Sequence, residues 1–185
     1  MHQLSHTIND VHGFPIGAFT EKEAKEFISR LDVDESVEFD AESIQYILNK
    51  LSWLLPFFIQ ILVEKINFLI MVEGKNLCET TIDTAYERLL SEKHFNTWDE
   101  RLKEYRESET YARRVLKLCT VLEGRSRSDL FANLFLHSED IEKDETSLAK
   151  LLAILQNDGY LMESGGKYIF RSPLLRDFWH KRFIL

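Results

Sequence analysis

The sequence predicts a mainly α fold in two modules, the second carrying a two-stranded β-hairpin. Three observations point there. Apolar residues recur at i, i+3, i+4 and i+7 along most of the 185 residues. The seven Gly and three Pro are few, and they fall almost entirely at predicted element ends. Two short apolar strands, YLME and KYIF, flank a Ser164-Gly165-Gly166 turn just before the last predicted helix.

Residues 1–18 are polar and His-bearing, and Gly13, Pro15 and Gly17 break any periodicity, so they read as a linker. Thr20 then caps a helix, with Glu23 completing a capping box and Ala24, Phe27, Ile28 and Leu31 forming one apolar face. An acidic loop, DVDESVEF, leads to Asp40 as the next cap, and Ile44, Ile47, Leu48 and Leu51 repeat the spacing. Pro56 suits the first turn of a helix, where a missing N–H costs nothing. Phe57 to Val72 is apolar nearly all round, with Gln60, Glu64 and Asn67 as a narrow polar stripe, so it must be covered on most sides. Gly74 ends it, and a helix capped near Thr80 or Thr81 follows, with Ile82, Ala85, Tyr86 and Leu89 inward. These residues, 19–90, make the first module.

Residues 91–107 are charged but carry Phe95, Trp98 and Tyr105 as aromatic anchors, and read as a connecting segment ending in a short helix. The second module, 108–185, opens on a helix with Tyr111, Val115, Leu118 and Leu122 on one face. Gly124 breaks it, and Ser126 or Ser128 caps a helix carrying Leu130, Phe131, Leu134 and Phe135. A polar loop, HSEDIEKDET, precedes a third helix striped by Leu148, Leu151, Leu152 and Leu155. The hairpin follows, and Ser172-Pro173 starts a closing helix whose Leu174, Leu175, Phe178, Trp179 and Phe183 dock on the core. Three helices, a two-stranded β wing and a closing helix make a winged-helix (wHTH) topology.

Net charge is −8 but unevenly spread: residues 108–185 hold 12 Lys and Arg against 11 Asp and Glu, while residues 1–107 hold 11 against 20. The break near Ser108 supports two modules, and the acidic first half argues against nucleic acid lying across the whole chain. Cys78 and Cys119 stand alone, as expected of a reduced, cytoplasmic setting. The longest apolar run, Leu51 to Val63, falls short of the ~20 residues needed to cross a bilayer, so no membrane is expected.

No phosphate-binding loop of the form G-x-x-x-x-G-K-[ST] is present, because Gly74-Lys75 and Gly166-Lys167 lack the upstream Gly and the following Ser or Thr. HExxH, G-x-S-x-G and G-x-G-x-x-G are absent too, so no catalytic residue and no metal ligand is assigned. His2 and His6, at i and i+4, read as exposed side chains of a frayed terminus. The carboxylates of DVDESVEFDAE lack the sixth-position Gly and closing Glu of a calcium loop. On the third helix of the second module, the solvent face carries Thr146, Lys150, Ala153 and Asn157, too little charge for a major-groove reader. The better basic candidates for a nucleic-acid or partner patch are Arg113, Arg114, Lys117, Arg125 and Arg127, although surface charge balancing nearby acids produces the same pattern. Arg176, Lys181 and Arg182 of the closing helix are left for solvent or a partner.

Four segments together resemble the C-terminal part of archaeal-type ATPases, P-loop proteins of the AAA and STAND kind. TINDVHGFPIGAFTEKEAKEFI is similar to the exit from the nucleotide-binding core into the lid, and LSWLLPFFIQIL to a lid segment bearing a G-x-P motif. TTIDTAYERLL is similar to a helix entry of that region, and LLAILQNDGYLMESGGKYIFRSPLLRDFW resembles the terminal winged helix. Two departures stand out: Leu54 takes the place of the motif's Gly, and the P-loop core has no counterpart in these residues.

The resemblance implies a helical lid bundle followed by a winged-helix domain, a non-catalytic regulatory module that couples nucleotide state to a partner or to self-association. It implies Trp53 and Pro56 as the nucleotide-facing edge, with ATP and Mg supplied only by a P-loop ATPase core in cis or in trans. The alternative expectation is a winged-helix transcription regulator that binds DNA directly.

Overall fold

A computed structural model of the chain describes residues 17–31, 37–135 and 145–183. The linker up to residue 16 with His2 and His6, residues 32–36 of the first acidic loop and residues 137–144 of the second lie outside the described residues.

The first helix, α1 (Glu21–Leu31), starts on the expected capping box: the Thr20 amide donates to Glu23 Oε2 at 2.8 Å and the Glu23 amide returns to Thr20 Oγ1 at 3.3 Å. For α2 (Ala41–Leu51), the Asp40 carboxylate accepts the Ser43 amide at 2.7 Å. Pro56 opens α3 (Pro56–Met71), where its fixed φ suits the first turn. This helix packs on α1, on α2 and on α4 (Glu79–Leu89), and is the centre of the first half.

Two expectations about this half are corrected. Asn67 is buried, so the solvent side of α3 is a stripe of Phe57, Gln60, Glu64, Phe68 and Met71, more apolar than the sequence suggested. The cap of α4 is Cys78, whose carbonyl accepts from the amides of Thr81 at 3.0 Å and Ile82 at 3.1 Å. The two threonine hydroxyls turn backward instead, Thr81 donating to the Asn76 carbonyl at 2.8 Å and Thr80 pairing with Cys78 Sγ at 3.1 Å, and neither caps a forward amide.

The segment between the halves is helical: a 3-10 turn (Lys93–Phe95), α5 (Asn96–Arg101) and a second 3-10 stretch (Leu102–Ser108). Arg106 kinks that stretch at φ 52°. Then come α6 (Glu109–Leu118), β1 (Arg125–Ser126), α7 (Arg127–Phe135), α8 (Glu145–Asn157), β2 (Leu161–Ser164), β3 (Lys167–Phe170) and α9 (Pro173–Phe183).

The inward face of α6 is Ala112, Val115 and Leu116 with Cys119 behind them, not the expected line through Leu122, which is 72% exposed. The helix stops at Leu118, so helical spacing no longer governs position 122. Ser126 caps α7, its hydroxyl accepting the Asp129 amide at 3.1 Å.

The expected two-stranded wing is part of a three-stranded antiparallel sheet in the order β1-β3-β2. Arg125 pairs with Tyr168 and Ser126 with Lys167, while Ser164 faces Lys167 across the hairpin. Gly165 (φ 58°) and Gly166 (φ 74°) take the left-handed conformation that a two-residue hairpin loop demands. The stripe Leu148, Leu151, Leu152 and Leu155 is buried as the spacing predicts. The chain is therefore mainly helical with one small sheet.

Candidate functional site

Local sequence places Trp53 by an unusual turn. Ser52, at the end of α2, adopts φ 54°, and its hydroxyl donates to the Asn49 carbonyl at 3.0 Å. That turn delivers the Trp53 ring edge-on to Phe58, with centroids 5.9 Å apart, and to Trp98 at 6.3 Å. The Arg171 guanidinium lies 5.4 Å from the Trp53 ring centre, a cation–π contact. Gly159, at φ 83°, passes so close that a Cβ there would lie 3.0 Å from Trp53 Cη2. Trp53 thus sits in a seam between the two halves, whereas Pro56 is half-buried at the head of α3.

The seam is aromatic at its centre and ionic at its edge. Trp98 meets Tyr160 edge-on at 5.2 Å, and the Tyr160 hydroxyl donates to the Trp98 carbonyl at 2.6 Å. Phe95 stacks against Phe178 of α9 at 5.3 Å, and Tyr160 meets Trp179 at 5.8 Å. Burial and the neighbouring Asp177 push the Tyr86 hydroxyl well above its usual pKa, and burial does the same to Tyr160. Two of the three basic residues of α9, which the sequence left for solvent or a partner, reach back across the seam. Lys181 donates to Ser91 Oγ at 2.8 Å, Arg182 to Asn96 Oδ1 at 3.0 Å, and Arg176 pairs with Asp177. Lys181 and Arg182 therefore bridge to the connecting segment while staying exposed, because α9 lies over it, whereas Arg176 is held within its own helix.

The five basic candidates divide. Arg113 holds the Asp99 carboxylate and Glu109, the latter at 2.9 Å, and Arg182 meets Asp99 from the other side at 3.2 Å. Arg127 donates to the Glu145 carbonyl at 2.9 Å. Arg114, Lys117 and Arg125 instead converge on one open cleft of about 460 Å³ between α6 and α7. Its apolar wall, Leu118, Val121 and Leu134, escaped the sequence reading. The signal was there in part: Arg114, Lys117 and Leu118 share one face of α6.

Burial raises the Cys119 thiol to about 12, whereas hydrogen bonds from Thr80 and Thr81 bring exposed Cys78 down to about 7. Among the described residues no group of His, Cys, Asp and Glu is placed to hold a metal, and no helix is long and apolar enough to cross a membrane. On α8, Thr146, Lys150, Ala153 and Asn157 are exposed, as expected.

No family model matches the sequence, and no curated protein does. Among solved structures, the Walker-type ATPase PABY2304 of Pyrococcus abyssi is similar over 88% of this chain, with a TM-score of 0.62 and 16% identity. The match covers 42% of that protein, so the chain spans less than half its length. At this identity the likeness shows a shared fold: the arrangement built here also occurs in an archaeal Walker-type ATPase.

Proposed function

We propose that the chain is the non-catalytic, C-terminal regulatory and interaction module of an archaeal-type P-loop ATPase of the AAA or STAND kind. In this reading α1–α4 are the lid, residues 91–107 the connection, and α6–α9 with the sheet the winged helix. The observation that carries it is the unequal coverage, nearly all of this chain against less than half of a Walker-type ATPase. The order of three helices, hairpin and closing helix supports the winged-helix assignment.

A P-loop core in cis or in trans brings ATP and Mg²⁺; the chain's own residues receive and transmit its state. The outer side of α3, where Phe57, Phe68, Met71 and Val72 are exposed, is the surface assigned to the core or to self-association. Trp53 and Pro56, three residues apart, link that helix to the seam, so a shift at the nucleotide-facing edge is felt at Trp98 and Gly159. The working compartment is the cytoplasm.

The test is direct. Purified chain should release no phosphate from ATP, and a P-loop core encoded in frame or adjacent should bind it through α3. Turnover that follows the chain through repurification, or indifference of the core to Phe68→Glu, would sink this reading.

A second reading, a DNA-binding regulator, draws on Arg114, Lys117 and Arg125, which have no ion-pair partner among the described residues. The single lysine on the outer face of α8 weighs against it. Its check is a duplex titration at low salt, which should be flat.

A further inference from the structure

We propose that the cleft between α6 and α7 is a docking site for an acidic, amphipathic peptide segment of a partner protein, with Arg114, Lys117 and Arg125 receiving its carboxylates and Leu118, Val121 and Leu134 its apolar side chains. The inference goes beyond the ATPase reading and stands without it.

Charge comes first. In a chain of net charge −8, three cations share this cleft and no Asp or Glu lines it. Of the nearby carboxylates, Glu109 is held by Arg113, and Asp129 accepts the Ser126 amide at 3.4 Å, within reach of the Arg125 charge but forming no ion pair with it. Arg114 and Lys117 are exposed and form no ion pair among the described residues. The Arg125 Nε is buried and has no hydrogen-bond acceptor there. A buried donor left unmade is costly, so a ligand carboxylate that draws the Arg125 side chain toward the cleft relieves that cost.

Shape and polarity then choose the occupant. A phosphodiester backbone needs a polar track of cations along a surface, because each contact is to a charged oxygen. Here the cations rim an apolar floor of Leu118, Val121 and Leu134. One or two apolar side chains flanked by carboxylates match both features, the helix-in-groove mode of recognition. Arg113 and Arg127, held by acids of this chain, take no part.

The experiment uses the full chain and a fluorescein-labelled Glu/Leu peptide with Leu at i, i+3 and i+4, read by anisotropy. An all-Glu peptide, a Lys/Leu peptide and a labelled DNA duplex serve as comparators. The Glu/Leu probe should bind, more weakly as salt rises, and the other three should not compete. Arg114→Ala with Lys117→Ala should weaken it about tenfold or more. Val121→Asp should do likewise through the floor, with circular dichroism confirming the fold of each variant. No binding, equal binding of the all-Glu peptide, affinity unmoved by the Arg114/Lys117 pair, or displacement by duplex DNA would each overturn the proposal.

Discussion

The Tyr86 hydroxyl on α4 donates to the Asp177 carboxylate on α9 at 2.8 Å, joining residues 91 apart in sequence. Tyr86 is 3% exposed and its ring also carries Lys50, whose ammonium lies 4.6 Å from the ring centre. Removing the hydroxyl leaves Asp177 still paired with Arg176. Tyr86→Phe should therefore cost about 1–2 kcal/mol, read as a lower urea midpoint at unchanged slope.

Burial of tyrosines predicts alkaline lability. Tyr86, Tyr105 and Tyr160 all have their pKa raised above the ordinary 10.0, with burial the first cause in each. A raised pKa means the folded state keeps protons that the unfolded state releases, so stability is full below about pH 10 and falls as pH rises beyond it. Urea midpoints measured between about pH 8 and pH 11 should drop, and more gently in Tyr160→Phe. A flat profile would show that these hydroxyls ionise freely in the fold.

Asp99 collects two arginines, Arg113 from α6 and Arg182 from α9, and its side chain is only 13% exposed. Asp99→Ala leaves both guanidinium groups without that partner. A loss of about 2 kcal/mol is expected, with hydrogen exchange rising first in α9.

Gly124 tests the sheet. It sits at φ 67°, and a Cβ there would meet the Tyr168 carbonyl oxygen at 2.6 Å. Gly124→Ala should cost about 3 kcal/mol or more, since backbone must move. Gly165→Ala, with a similar φ of 58° but open space around it, should cost about 1–2 kcal/mol.

The outer side of α3 predicts concentration-dependent association. Phe68→Glu and Met71→Glu change exposed positions, so thermal stability should hold while sedimentation shifts toward the monomer. Variants that sediment like the parent at every concentration would remove this face from consideration.

What the sequence revealed was local. Thr20 with Glu23, Asp40, and Ser172 with Pro173 were legible because a cap is set by residues three apart. The hairpin was legible from two glycines at a turn. β1 was not, because two residues carry no alternation. The α6 face was misphased by carrying helical spacing past Leu118. In the cleft, charge alone named Arg114, Lys117 and Arg125. Separating them from Arg113 required Asp99, 14 residues away, which no spacing rule connects.

Helix α9 clamps the connecting segment through Phe178, Lys181 and Arg182. It is also the last of these elements to leave the ribosome. Until it arrives, Phe95 lacks the stacking ring of Phe178 and Asp99 lacks one of its two arginines. Between the emergence of Asp99 and that of α9, the nascent molecule thus carries an unfinished, sticky joint, a stage at which chaperones have reason to hold it.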